Sequence, residues 1–210
     1  MQHMKRVGIL LTVLCSYALP AHAVEIFFNP LEVTTPLGGA VGVDVVVSGL
    51  GAPGSTREVI SAFDLDVLFD SSILSFNRLV FSDALGLVDF DTFTGVVGSP
   101  GRIDFANLSL LGNADLLATQ GNQIVLASLF FDAIAFGTSM LSFDSSVLGG
   151  LELIGLDPFA TLALDSVGTG QITVAAAQSV PEPGALSLLG LTLAGLGVLR
   201  SRKARVAVAA

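Results

Sequence analysis

Strict alternation of apolar and polar residues is the sequence feature that most constrains the fold of this 210-residue chain. From Ala62 to Phe69 every odd position is apolar, whereas positions 64 and 66 are aspartate. Successive side chains of a β-strand point to opposite faces, so this pattern predicts a strand that buries one face. Asp70-Ser71-Ser72 follows and predicts a turn.

Similar runs recur along residues 24–180, separated by clusters of Gly, Pro, Asn, Asp and Ser. The runs cover 41–47, 74–81, 90–97, 102–110, 123–135, 140–147 and 170–174. The run 124–131 is apolar on both faces apart from Ser128, which is typical of a central strand. Helical periodicity is not sustained in 24–180, although 114–118 can form one short helical turn. The pattern predicts an all-β fold, an antiparallel sandwich of about nine strands.

The C-terminal segment has three successive parts, of which the first is the tripeptide Pro181-Glu182-Pro183. Proline cannot continue a helix inward from the upstream domain, so the tripeptide separates the two regions. An apolar run over 184–199 follows, and a helix of that length reaches about 24 Å, near the lower limit for a hydrocarbon core of about 30 Å. We predict a transmembrane helix there.

A basic cluster is the third part. It consists of Arg200, Arg202, Lys203 and Arg205. Such residues favour the cytoplasmic side of a membrane, and they argue against the alternative of a buried core helix, though a plain C-terminal anchor stays open. The order of tripeptide, apolar run and cations resembles the PEP-CTERM sorting signal of exopolysaccharide-producing Gram-negative bacteria. The resemblance implies that a membrane-embedded exosortase recognises and removes the tail, delivering the upstream domain to the cell envelope, the cell surface or the extracellular matrix.

The N-terminal segment has the pattern of a secretory signal peptide. Lys5 and Arg6 precede an apolar segment over 7–19, and Ala21 and Ala23 are small residues at the positions that signal peptidase reads. The apolar segment is short for a membrane-spanning anchor, so we predict a helical signal peptide that is cleaved after Ala23. The predicted division of the chain is a signal peptide at 1–23, a domain at 24–176, a linker at 177–183, a transmembrane helix at 184–199 and a basic cytoplasmic tail at 200–210.

The composition of residues 24–180 excludes several classes of function. This region holds no His, Cys, Lys, Tyr or Trp, and its seventeen acidic residues oppose three arginines, which gives a formal charge of −14. Such a surface repels phosphates, so we predict no nucleic-acid partner. Without His or Cys, nucleophilic triads and the usual zinc sites are unavailable. Its length suffices for one hydrophobic core without disulfides.

Several segments of this region resemble cohesin domains. They are Phe63–Asp70 with Ile73–Phe76, Leu126–Ala133 with Gly137–Leu141, and Gly170–Val174. The first resembles a strand that ends at an aromatic-Asp turn with a Leu-x-Phe return, although Ser71 stands where cohesins commonly carry proline. The second resembles the family's "L-x-x-L-x-F-x-A" strand and "G-x-S-x-L" turn, and the last its closing strand. The resemblance implies a nine-stranded jelly-roll sandwich, related to carbohydrate-binding modules, in a family whose members dock dockerin domains through one sheet face.

Asp64, Asp66 and Asp70 are candidate ligands for Ca²⁺, the one cofactor that the sequence suggests. Asp64 and Asp66 share a face of the predicted strand about 6–7 Å apart, and Asp70 lies in the turn. Because Ca²⁺ takes six to eight oxygens from several segments, these residues alone would form an incomplete cage. The alternative is a solvated acidic face. A second candidate site is the segment 110–123, which is either a binding loop or a plain loop.

Together these patterns predict an exported, non-catalytic structural or adhesive module that binds an envelope protein or exopolysaccharide. One alternative is a lectin-like carbohydrate-binding module that uses exposed phenylalanines on one face. Another is a glycoside hydrolase that uses paired carboxylates, such as Asp89 with Asp91 or Asp104 with Glu152. Any two of seventeen acids fit such a pairing equally well, so the non-catalytic function is favoured.

Overall fold

The computed structural model of the protein describes residues 23–51, 57–147, 149–157 and 161–176. The predicted signal peptide up to residue 22 lies outside the described residues. So do the linker from residue 177, the C-terminal transmembrane helix over 184–199 and the tail over 200–210. Among the residues that the structure does describe, no helix is long and apolar enough to cross a membrane.

Twelve strands and one short α-helix make up the described part. The first six strands are β1 (Glu25–Asn29), β2 (Glu32–Pro36), β3 (Ala40–Ser48), β4 (Ala62–Leu68), β5 (Leu74–Phe81) and β6 (Thr92–Ser99). The other six are β7 (Arg102–Ser109), β8 (Gln123–Ala133), β9 (Gly137–Phe143), β10 (Leu151–Ile154), β11 (Ser166–Val167) and β12 (Gly170–Ala175). A 3₁₀ turn covers Asp83–Leu85, and helix α1 covers Asn113–Thr119.

The strands form two sheets. The first has the order β11-β1-β3-β8-β5, and the second has the order β2-β12-β9-β4-β7-β6, with β10 also pairing with β4. The prediction of an all-β sandwich is confirmed. The twelve strands exceed the predicted nine: eight of them lie in the eight predicted runs, and β1, β2, β10 and β11 fall outside those runs. The pairs β1–β11 and β2–β12 are parallel rather than antiparallel.

The core lies between the two sheets and is built from their inner faces. On β4 the alternation holds as predicted, because Phe63, Leu65 and Val67 are all buried. Strand β8 lies between β3 and β5, as its apolar sequence indicates. Phenylalanine rings join the sheets: Phe28 of β1 stacks on Phe143 of β9 at 4.6 Å between ring centres.

Helix α1 occupies the segment that was expected to be a loop at 110–123, and it includes the predicted helical turn. Leu116 anchors the helix in the interior. After the helix, the buried amide of Gln120 accepts from the Ile60 N–H at 2.8 Å and donates to the Ile60 carbonyl at 2.6 Å. The Asn122 side chain accepts from the Gly51 N–H at 2.8 Å. The side chains of Gln120 and Asn122 therefore hold neighbouring segments of the domain in place, and a binding role for the rest of 110–123 stays a prediction.

The hydrophobic core of the described residues lies within residues 24–176. Every buried member of the hydrophobic cluster lies between Val24 and Val174. We therefore expect residues 24–176 to form a folding unit.

Phe131 should be a main determinant of stability. Its ring is fully buried on β8 and makes edge contacts with Phe69 at 5.2 Å and Phe76 at 6.3 Å between ring centres. We expect Phe131→Ala to lower the free energy of unfolding by about 3–5 kcal/mol, because it leaves a cavity between the sheets. Urea denaturation measures this. Phe136→Ala, at a ring that is 61% exposed, is the control and should change stability by less than about 0.5 kcal/mol. Equal losses in the two variants would contradict this account of the core.

Candidate functional site

Four carboxylates lie together on the outer face of the second sheet. Asp64 and Asp66 occupy the β4 positions opposite to its core residues. Asp66 is in register with Asp104 on β7, and Asp64 is in register with Glu152 on β10. Residues in register on neighbouring strands share a face, so we call these four residues the acidic cluster.

Asp66 is a buried carboxylate with an arginine partner. Arg102 Nε donates to Asp66 Oδ1 at 2.8 Å, and its Nη2 donates to the other carboxylate oxygen. The Asp66 side chain is 3% exposed whereas that of Arg102 is 37% exposed, so the arginine covers the acid. The hydrogen bond to Asp66 raises the pKa of the Arg102 guanidinium. The expectation of a solvated face is therefore wrong for Asp66, because alternation identifies its face but not the arginine and loop above it.

Asp64 lies beneath the loop that joins β9 to β10. Gly149 has a φ of +79°, and a Cβ at this position would be 2.5 Å from Asp64 Oδ2, so the loop backbone passes directly over the carboxylate. Burial raises the pKa of Asp64, and the negative charges of Asp104, Asp66 and Glu152 raise it further. The fold thus holds this acid in an environment that disfavours its charge.

Asp70 takes no part in the acidic cluster. It lies in the turn after β4, where Oδ1 accepts from the N–H of Ser72 at 2.9 Å and from its hydroxyl at 2.6 Å. These hydrogen bonds lower the pKa of Asp70. No set of three or more His, Cys, Asp or Glu side chains within the described ranges is placed to hold a metal ion. Calcium binding by Asp64, Asp66 and Asp70 stays a prediction.

An exposed apolar strip lies beside the acidic cluster on the same face. Phe93 and Val97 project from β6 with 66% and 65% of their side chains exposed, and Leu108 of β7 is in register with Phe93. Gly95 and Ala106 are in register between them and keep the middle of the surface shallow. We call Phe93, Val97 and Leu108 the β6–β7 strip. Sequence analysis missed it, because residues 92–99 contain no charged side chain and such a run does not distinguish an exposed edge strand from a buried one.

Strand β6 is an edge strand without the usual protection. It pairs with β7 along Thr92–Ser99 in one continuous register, and no other strand of the described ranges pairs with its second edge. The other edge strands carry features that discourage pairing: β2 ends in Pro36, β5 has Arg78 and a register shift, and β11 has two residues. The free edge of β6 therefore offers unpaired backbone groups next to an apolar surface.

Asp104 and Glu152, one of the two acid pairs considered for glycoside hydrolysis, are too far apart for a catalytic pair. Asp104 and Glu152 lie on opposite sides of β4, and two strand spacings place them about 10 Å or more apart. Asp91 accepts from the Leu87 N–H at 3.1 Å and so supports the turn before β6. A groove of about 340 Å³ at one end of the sandwich is lined by apolar, serine, glycine and proline residues and includes no carboxylate.

Comparison with protein families identifies the C-terminal segment. Residues 179–203 carry a PEP-CTERM protein-sorting motif. The match includes the predicted signal residues, which are Pro181, Glu182, Pro183, Arg200, Arg202 and Lys203. A PEP-CTERM motif indicates an exported protein that is sorted to the cell envelope and implies processing by an exosortase. A search of curated proteins finds no match.

Comparison with solved structures identifies the fold of the described domain. The seventh ScaB type I cohesin from Pseudobacteroides cellulosolvens matches with a TM-score of 0.56 at 18% identity, covering 77% of this chain and 97% of that one. A cohesin from Clostridium acetobutylicum matches with a TM-score of 0.53 at 20% identity, covering 75% and 94%. A type II cohesin from Acetivibrio cellulolyticus matches with a TM-score of 0.55 at 15% identity, covering 73% and 95%. The described residues have the fold of a cohesin domain.

The raised pKa of Asp64 predicts a pH-dependent effect of removing its charge. The pKa of Asp64 is higher in the folded state than its unfolded value of about 3.9. The stability that protonated Asp64 contributes is therefore fully present below that unfolded value, and it is lost as pH rises through the folded pKa. We therefore expect Asp64→Asn to raise the urea midpoint at pH 7, with the difference closing towards pH 3. Glu32→Gln, on edge strand β2, changes the net charge equally and should not show this gain. Loss of stability in Asp64→Asn at pH 7 would show that the charge is favourable.

Proposed function

We propose that the protein is a non-catalytic binding module, displayed at the cell envelope or in the extracellular matrix, that binds a protein partner through the outer face of its second sheet. The observation that carries the proposal is the β6–β7 strip, an apolar surface beside a free strand edge. Exposed apolar patches on soluble domains mark interaction sites, and an unpaired edge can accept a further strand.

The chemistry of this face defines the partner that would fit it. The apolar strip favours an apolar segment, and the acidic cluster favours Lys or Arg next to that segment. A net charge of −14 over residues 24–180 favours basic partners at longer range. Cohesins with this fold have been crystallised with dockerins, including one from Clostridium thermocellum with a TM-score of 0.55 at 16% identity, covering 73% of this chain and 99% of that one. A dockerin-like domain with a basic and apolar docking surface is the partner class that we propose.

A neutral polysaccharide is the second candidate ligand, because two exposed rings lie near each other in sequence at the start of β6. Phe90 is 82% exposed and Phe93 is 66% exposed. Residues 24–180 lack Trp and Tyr, so phenylalanines are the flat side chains that could contact a sugar ring there. Acidic polysaccharides would be repelled by the net charge.

Binding to the envelope fraction of the producing organism tests the proposal, with residues 24–176 as the probe. We expect Phe93→Asp to weaken binding about tenfold, since it places a charge in the centre of the apolar strip. The control, Phe136→Asp, alters a similarly exposed ring outside the strip and should stay within about twofold of wild type.

Treatment of the envelope fraction identifies the class of ligand. Protease digestion should abolish binding, whereas periodate oxidation of sugars should leave it intact. Binding that survives protease and is lost after periodate would support the polysaccharide candidate instead. Equal effects of Phe93→Asp and Phe136→Asp would remove the β6–β7 strip from the proposal.

Replacement of Pro181-Glu182-Pro183 by three alanines tests the sorting step. Because the tripeptide is the part of the motif that the exosortase would read, we expect the variant to accumulate in the membrane fraction with its tail intact. The wild-type protein should leave that fraction without residues 184–210. Mass spectrometry of the C-terminus measures both outcomes, and an intact tail through Ala210 on released wild-type protein would contradict removal of the tail.

A further inference from the structure

The backbone nitrogen of Val24, the first residue after the predicted signal-peptide cut, is held by a carboxylate. Val24 N–H donates to Asp165 Oδ2 at 3.1 Å, and the N–H of Asp165 donates back to the Val24 carbonyl at 2.8 Å. Val24 itself is buried, at the start of β1. The short parallel pairing of β1 with β11 continues this contact, since Glu25 is in register with Ser166.

We propose that Asp165 is the receptor for the α-amino group that signal-peptide cleavage creates at Val24. Cleavage after Ala23 turns a neutral peptide N–H into an ammonium group at the same atom. The hydrogen bond to Asp165 then becomes an ion pair, while the backbone of β1 holds the nitrogen in place. The inference rests on the cleavage that the export proposal includes, and it adds a role for the new N-terminus in the stability of the mature domain.

In the uncleaved chain, Ala23, the residue before the predicted cut, lies next to Gly49. Ala23 is exposed, but its carbonyl lies against Gly49, whose φ is +82° and where a Cβ would be 1.8 Å from the Ala23 oxygen. An acyl group on Val24 therefore has room beside Gly49, and the uncleaved chain can form the neutral hydrogen bond. The uncleaved chain and the chain cleaved after Ala23 therefore differ in the charge on the backbone nitrogen of Val24.

Because of the composition of the mature domain, the titration of the α-amino group of Val24 can be measured without overlap from side chains. Residues 24–176 contain no Lys, His, Cys or Tyr, so the α-amino group is the one group there that titrates near neutral or mildly alkaline pH. The charged groups on the adjoining elements are Glu25, the next residue on β1, and Arg57 and Glu58 in the segment that returns to Leu50, whereas Asp44 of β3 is in register with Asn29 at the other end of β1. Carboxylates and guanidinium groups keep their charge between pH 7 and 10.

The Glu25 carboxylate is already engaged by two hydroxyl groups. It accepts from Ser48 at 2.7 Å and from Ser166 at 3.2 Å. Asp165 is thus the carboxylate that the described contacts assign to Val24. Because Asp165 is exposed, the ion pair should have the strength of a well-oriented surface pair, in which the amine loses no side-chain entropy.

Selective acetylation of the α-amino group tests the proposal. Residues 24–176, produced with Val24 as the first residue, have no lysine, so an acylating reagent modifies the N-terminus and leaves an acetyl group in the place of the Ala23 carbonyl. We expect acetylation to lower the folding equilibrium constant about fivefold in the wild-type domain. In Asp165→Asn, which retains an oxygen acceptor, we expect a change within about twofold. Urea unfolding of the four proteins gives the coupling between the two changes.

The pH dependence gives a second readout. Pairing raises the α-amino pKa above its unfolded value of about 7.7–8.0, so its contribution is fully present below that value and is lost as pH rises through the folded pKa. The acetylated domain should show no such loss between pH 7 and 10. Equal effects of acetylation in wild type and Asp165→Asn, or a flat pH profile in the free-amine domain, would overturn the ion pair.

N-terminal mass spectrometry of the exported protein separates this inference from the export proposal. A mature chain that begins at Val24 supports the role in maturation. A different first residue would overturn that role even if the domain prepared with Val24 first shows the coupling. Loss of the coupling with correct cleavage would overturn the ion pair and leave the export proposal untouched.

Discussion

Burial of phenylalanine and branched aliphatic side chains between two sheets is the interaction on which the rest of the structure depends. Ring contacts cross the interface in several places, such as Phe28 with Phe143 and Phe69 with Phe131. Large aromatic side chains bury much apolar area for each residue, which allows a domain without disulfides to be stable. The cost of this solution is that the inner faces are committed to packing. Specific chemistry is then left to the outer faces, the strand edges and the loops.

The outer face of the second sheet carries the acidic cluster beside an exposed apolar surface, the β6–β7 strip. On β4, Asp66 is buried, and it is tolerated there because Arg102 neutralises its charge with two hydrogen bonds. Its neighbour Asp64 has no such partner in the described contacts and is desolvated by the loop at Gly149. The adjacent β6–β7 strip is apolar and exposed. A surface that combines an unrelieved negative charge with uncovered apolar area is less stable alone than it would be against a basic and apolar partner.

The sequence predicted those parts of the fold whose signal is local. The alternation in β4 and the apolar run of β8 are properties of single segments. The first gave the correct strand and buried face, and the second gave a strand in a central position of its sheet. The strands β1, β2, β10 and β11 have two to five residues, and long-range pairing defines them, as in the parallel register of β1 with β11. Alternation also assigned Asp66 to the correct face, but it could not reveal Arg102 above it. The β6–β7 strip was missed for a related reason, since exposure depends on which strand lies at an edge.

The two proposed cuts and the composition of the residues between them would together determine the charge of the exported domain. A domain without Lys, His, Cys or Tyr has no side chain whose ordinary pKa lies near neutral pH. The proposed cut after Ala23 would supply such a group at a single position, and the fold presents a carboxylate to that nitrogen. The C-terminal cut implied by the sorting motif would remove the cations of residues 200–205 and leave the domain strongly acidic. Processing at both ends would therefore change the charge of the displayed domain, because it would add one positive charge next to β1 and remove the cations of residues 200–205.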